Sequence, residues 1–187
     1  MADPAGGPIH ALTSKAIGLV NVLRAPVSVS LPLSDDAAPA SSTRKWEAVW
    51  DTGATGSVIS QAVVNELGLQ PVSFTQVHTA NGTAMQPAFM VALVLSDGAV
   101  RVNTRVTMAP LVGCDVLIGM DVINLGDFSV TNYNGKTTVS FRIPSCEEID
   151  YVQQLRDEQG QSAPPKPEPS RQERRHPGQT RPKRRRH

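Results

Sequence analysis

Three short polar stretches punctuate the middle of this chain: Asn81-Gly82, Ser96-Asp97-Gly98 and Asn134-Gly135. Asn-Gly readily supplies the positive φ that a type I′ turn needs at both central residues, so it joins two antiparallel strands rather than two helices. Around these turns the sequence predicts a long hairpin over residues 72–95, a second one running on from 91–95 into Val100–Met108, and a third from 128–131 to 137–143. A chain committed to three successive hairpins has little room for anything but a β fold.

The remaining segments fit that frame. Val, Leu, Ile, Ala and Thr are frequent, and aromatic residues make up only 4% of the chain, which favours strands of β-branched residues over a helical bundle. Residues 17–23 and 27–33 read as two strands around Arg24-Ala25-Pro26, the second with apolar and polar residues alternating. Residues 46–50 form a short strand, and 116–119 a short buried one. Ser60 is placed to cap a helix over Gln61–Leu67 that Gly68 ends. Residues 120–125 allow one or two helical turns, stopped at Gly126. The expectation is an all-β fold with one or two short helices and turns spaced as in a small closed barrel or sandwich.

Three regions are expected along the 187 residues: a loose N-terminus over 1–15, an ordered domain over 16–146, and a tail over 147–187 that is largely unfolded. A frayed helix is expected near 147–158. Beyond it, a Pro-rich and Arg-rich composition lacks the apolar surface needed to fold. Residues 151–187 hold ten Lys/Arg and four Asp/Glu, a net of +6, while the rest of the chain holds eight and thirteen, a net of −5. The tail can attract nucleic acid by counterion release, but no interleaved aromatic residues are present to stack on bases. The run at 181–186 also reads as a nuclear address in a eukaryote. No apolar run approaches the ~20 residues of a membrane span, and the first thirty residues lack the pattern of a signal peptide. The cytoplasm is therefore the expected location. Cys114 and Cys146 are too few for a disulfide framework and lack metal-ligand spacing, and no metal or cofactor is expected.

The stretch with chemical content is Ala48-Val49-Trp50-Asp51-Thr52-Gly53-Ala54. It delivers one carboxylate from an apolar strand into a turn, where burial is costly unless the group is hydrogen-bonded or does chemistry. Gly53 permits close backbone approach and offers an N–H to the carboxylate. Ser57 lacks the Gly-x-Ser-x-Gly setting of a serine hydrolase. Asp115 and Asp121 read as a loop charge and a support for the short helix. His78 has no partner motif.

This stretch resembles the retropepsin family of aspartic proteases, whose motif is two apolar residues, Asp, Thr or Ser, Gly and Ala. Leu117-Ile118-Gly119 matches the family's second element, and Thr79-Ala80-Asn81-Gly82-Thr83 stands where its flap hairpin belongs. The resemblance covers roughly residues 17–143. Many retroviral members carry an ion pair where this chain has Thr55 and Met120, so it is more similar to the cellular and retrotransposon-like branch. The resemblance implies a single-lobe closed barrel and an aspartic endopeptidase acting on polypeptides. Because only one Asp-Thr-Gly is present, it implies a homodimer with Asp51 from each chain, with residues 17–22 and 137–143 at or near the interface. Asp51 would be catalytic, Thr52 and Gly53 would support the loop, and Ala54, Asn81 and Gly82 would contact substrate. The other reading is a silent dimerisation or binding module of the same fold, its basic tail contacting nucleic acid or an acidic partner.

Overall fold

The computed structural model describes residues 8–32, 44–79 and 82–160. It has two units, one over Met1–Glu147 and one over Glu148–His187. Among the described residues of the first, ten strands and two short α-helices run in the order β1 (His10–Lys15), β2 (Arg24–Ser30), β3 (Lys45–Trp50), β4 (Val58–Ile59), α1 (Gln61–Leu67), β5 (Ser73–Thr79), β6 (Gly82–Leu95), β7 (Val100–Met108), β8 (Val116–Ile118), α2 (Met120–Ile123), β9 (Asp127–Thr131) and β10 (Thr138–Ile143). In the second unit, the expected helix is present as α3 (Tyr151–Glu158), with Asp150 accepting from the Val152 and Gln153 N–H groups at its start. The Pro-rich, basic part of the expected tail, from residue 161, lies outside the described residues.

The larger sheet has the order β2-β3-β8-β4-β7-β6-β5, and β2 also pairs with β6. The ladder therefore runs from β2 through β3, β8, β4, β7 and β6 and back to β2, with β5 attached outside this ring. This is the all-β architecture expected from the turns. Period-two burial follows: Phe89, Val91, Leu93 and Leu95 of β6 and Val100, Val102 and Val106 of β7 point into the core. Strand β6 is long enough to serve two purposes. Its residues 88–95 pair with β7, while residues 82–87 pair only with β5 and extend the hairpin past the end of β7.

A second sheet of three strands, β1-β10-β9, closes the unit. Trp50 at the end of β3 joins the two sheets, its ring centroid 5.2 Å from Phe128 and 5.3 Å from Phe141. Such tilted pairs add to the burial energy of the rings. Phe141 is fully buried within a core that also holds Leu12, Val27, Ile59, Val116 and Ile118.

Several expectations need correction. The N-terminal strand lies at His10–Lys15, so the ordered chain starts before residue 16. Residues 17–23 are not a strand, and Ile17, Leu19, Val20 and Val22 stand exposed. Strand β2 starts at Arg24 and includes Pro26, which lies where β2 has only β3 beside it. Strand β10 is the middle strand of its sheet, with β1 and β9 on its two edges. Along this sheet only the outer edges of β1 and β9 are left without a partner among the described residues. Helix α1 is as the sequence predicts: Ser60 Oγ accepts from the Val63 N–H, and Gly68 ends it at φ +58°.

Candidate active site

Strand β3 delivers Asp51 at its end. The Trp50 N–H donates to Leu23 O and the Asp51 N–H to Ile118 O, both at 2.9 Å. The backbone of Asp51 is thus clamped to β8 on one side, while Trp50 is fixed by its aromatic neighbours. After Asp51 the chain turns, and the Ala54 N–H bonds back to Asp51 O at 3.3 Å. The Gly53 N–H donates to Asp51 Oδ1 at 2.8 Å, the bond anticipated from the sequence. A Cβ on residue 53 would stand 3.2 Å from that same oxygen, so the glycine gives the carboxylate its space. Asp51 and Ala54 are half-buried, and Thr52 and Gly53 are exposed.

The second sequence element, Leu117-Ile118-Gly119, lies directly behind this loop. Strand β8 pairs in parallel with β3, Trp50 opposite Ile118. Gly119 then packs against the loop so tightly that a Cβ there would lie 2.7 Å from the Gly56 carbonyl carbon, 2.8 Å from its oxygen and 2.9 Å from Ala54 O. The Met120 N–H donates to Ala54 O at 2.8 Å. Ala54 therefore holds the loop through its carbonyl. Two motifs 66 positions apart are brought into one packed unit by parallel pairing.

The hairpin of β5 and β6 is the third element. Its register sets Thr79 opposite Gly82, so Gly82 opens the returning strand, at φ +120°. Gly82, expected in the turn, thus belongs to the strand, and the sequence between β5 and β6 is Ala80-Asn81. Both lie outside the described residues, and with them the predicted site of Asn81. The face of β6 that fills the core at Phe89 and Val91 continues along the hairpin through Pro87 to Met85. Phe74 stands opposite Pro87 on that face, and Phe74 and Met85 are exposed.

Sequence reasoning missed the polar side chains beneath the loop. Ser57 is buried and donates to Asp121 Oδ1 at 2.8 Å. Asp115 is more than a loop charge: its carbonyl accepts from the Ser60 N–H at 2.8 Å and its carboxylate from Ser60 Oγ at 3.3 Å, at the start of α1. Neither link has a local sequence signal, because each joins residues more than fifty positions apart. No three His, Cys, Asp or Glu side chains among the described residues gather as a metal site.

Comparison with known proteins adds the following. Residues 42–125 match a family described as "gag-polyprotein putative aspartyl protease". No curated protein matches the chain. Among solved structures, a retropepsin-like aspartic protease from Rickettsia conorii is similar at 14% identity over 73% of this chain and 98% of its own, with a TM-score of 0.47. The retroviral protease-like domain of Ddi1 from Leishmania major is similar at 15% identity over 59% of this chain and 82% of its own, with a TM-score of 0.41. The simian foamy virus protease shares 17% identity over 52% of this chain and 88% of its own, with a TM-score of 0.37. The matched segment contains the Asp51 loop, the hairpin and Gly119 together, and over residues 42–125 the chain is similar to this aspartyl protease family.

Proposed function

We propose that the chain is an aspartic endopeptidase that works as a homodimer, with Asp51 of each copy facing the other across a two-fold axis. One observation carries this reading. Asp51 is held by backbone bonds at a strand end, accepts the Gly53 N–H, and is flanked by exposed Thr52 and Gly53, yet the sequence offers no second Asp-Thr-Gly to complete a catalytic pair. An isologous dimer supplies the missing half from the same surface. The run of exposed apolar residues Ile17, Leu19, Val20 and Val22 leads into Leu23, whose carbonyl accepts the Trp50 N–H, so it adjoins this surface. Apolar groups so placed gain from a partner that covers them.

The chemistry then follows from two carboxylates about 3 Å apart, which cannot both ionise cheaply and so hold one proton between them. The ionised Asp51 takes a proton from a water lying between the pair while the water oxygen attacks the peptide carbonyl. The protonated Asp51 hydrogen-bonds that carbonyl oxygen, and the leaving amine is protonated as the C–N bond breaks. No covalent intermediate forms. Thr52 reaches its counterpart in the partner copy. The β5–β6 hairpin covers the extended substrate, with Phe74 and Met85 offering apolar surface and Asn81 and Gly82 contacting its backbone.

The test is cleavage of an unstructured protein at about pH 4–6, with and without a statine-type inhibitor, by wild-type protein and by Asp51→Ala. Cleavage that the inhibitor blocks and the substitution abolishes is the expected result. Cleavage that survives Asp51→Ala refutes the reading, and a wild-type protein inert under all conditions favours the silent binding module.

A further inference from the structure

Asp121 makes no bond to Asp51, yet it holds the far end of the loop that carries it. Its Oδ1 accepts from Ser57 Oγ at 2.8 Å and its Oδ2 from Thr104 Oγ1 at 3.1 Å. Ser57 Oγ in turn accepts the Gly119 N–H at 3.0 Å. A hydroxyl has one proton to give. Ser57 and Thr104 both give theirs to this carboxylate, which fixes the Ser57 rotamer so that its lone pair meets Gly119. Ser57 is 1% exposed, so its proton has no water to turn to.

Three elements meet at this carboxylate. Ser57 ends the Asp51 loop, Asp121 lies in the first turn of α2, and Thr104 stands mid-way along β7, opposite Val91 of β6. Backbone bonds also tie the loop, from Met120 N–H to Ala54 O and from Thr107 N–H to Ser57 O. Those bonds leave the Ser57 hydroxyl free to rotate. An apolar side chain at 121 would fill the space but give Ser57 and Thr104 no acceptor, and a buried donor without one drives local rearrangement.

We propose that Asp121 is a positioning residue: through Ser57 it locks the loop 51–57 onto β7, whose neighbour β6 carries the hairpin, so that the Asp51 carboxylate is presented in one place. The proposal rests on the protease reading above. It separates from that reading because loop order is measurable without turnover.

The experiment compares wild type, Asp121→Ala, Asp121→Asn and Thr104→Val in steady-state cleavage and in amide hydrogen exchange across residues 51–57 and 119. Misplacing a reacting group by about 1 Å costs on the order of 100-fold in rate. Asp121→Ala should therefore lower kcat about 10- to 100-fold, with KM within about threefold. The Ser57 and Gly119 amides should exchange faster while those of β6 and β7 do not. Asp121→Asn, whose carbonyl takes one hydroxyl proton and whose amide donates to the other oxygen, should recover most of kcat and of the protection. A folded Asp121→Ala protein with kcat within twofold of wild type, or with unchanged exchange at 57 and 119, overturns the proposal. So does an Asp121→Asn protein as impaired as the alanine variant. Should Asp121→Ala fail to fold, Thr104→Val decides by exchange: faster exchange at 57 and 119 supports the link, and none refutes it. Wild-type protein that cleaves nothing overturns the protease reading, while exchange still decides whether Asp121 orders the loop.

Discussion

Gly119 is the position with the least freedom around the candidate site. Any Cβ there meets backbone atoms of Gly56 and Ala54 at under 3 Å, and backbone does not step aside as a flexible side chain would. Gly119→Ala should destabilise the unit by about 1–3 kcal/mol and push Ala54 and Gly56 away from β8. The checks are a lowered denaturation midpoint and a greater loss of cleavage than of stability. Gly126 is tighter still, since a Cβ would overlap Arg142 O of β10. The sequence marked Gly126 only as a helix stop, because nothing local reveals that β10 passes over it. The Asp-Thr-Gly motif and the Gly53 bond to Asp51 were legible because they act within three residues. The Ser57–Asp121–Thr104 links were not, because residues 57, 104 and 121 become neighbours only in the folded sheet.

At the scale of elements, two junctions support the site. The first is the aromatic contact of β3 with β9 and β10. Phe141 is fully buried against Trp50, the residue before Asp51. Phe141→Ala should cost about 3–5 kcal/mol, measured by chemical denaturation, and should disturb Trp50 fluorescence in the folded protein. The second junction is the end of the three-stranded sheet. Asp127 at the start of β9 is partly withdrawn from water, which alone would raise its pKa. The Cys146 N–H, the Ser145 hydroxyl and the Arg142 guanidinium all donate to it and outweigh that effect, holding its pKa below the ordinary 3.8. A carboxyl group with a lowered folded-state pKa contributes stability that is complete above its unfolded value and disappears as pH falls through the folded one. Asp127→Asn should therefore lower stability by about 1 kcal/mol at neutral pH. That difference should shrink below about pH 4 and vanish in stronger acid, as followed by melting temperature against pH.

For the whole molecule, the proposed function requires each chain to carry half of a catalytic pair. Specific activity should rise with protein concentration and level off when dimers are saturated. When Asp51→Asn chains are mixed in equal amount with wild type and allowed to exchange, half of the wild-type chains enter mixed dimers. Activity per wild-type chain should then fall to about one half. A drop of this kind, absent when the added protein cannot exchange subunits, is the signature of a shared site. Activity independent of concentration down to a strictly monomeric state would contradict it. No helix among the described residues is long and apolar enough to cross a membrane.

The sequence by itself determined the class of fold and the place of the acid. Turn residues at 96–98 and 134–135 set hairpins by local φ requirements, Ser60 and Gly68 bounded α1, and an apolar strand ran into Asp51. Tertiary structure decided what depends on partners far along the chain. His10–Lys15 has little apolar pattern, with only Leu12 buried, and becomes a strand because β10 offers an edge. Residues 17–23 are apolar enough for a strand but join no ladder, and Ile17, Leu19, Val20 and Val22 stay exposed while Leu23 packs against the core. Pattern reports what a segment could bury. Hydrogen-bond ladders and packed glycines such as Gly119 depend on which segment arrives beside it, and only the assembled sheets fix that.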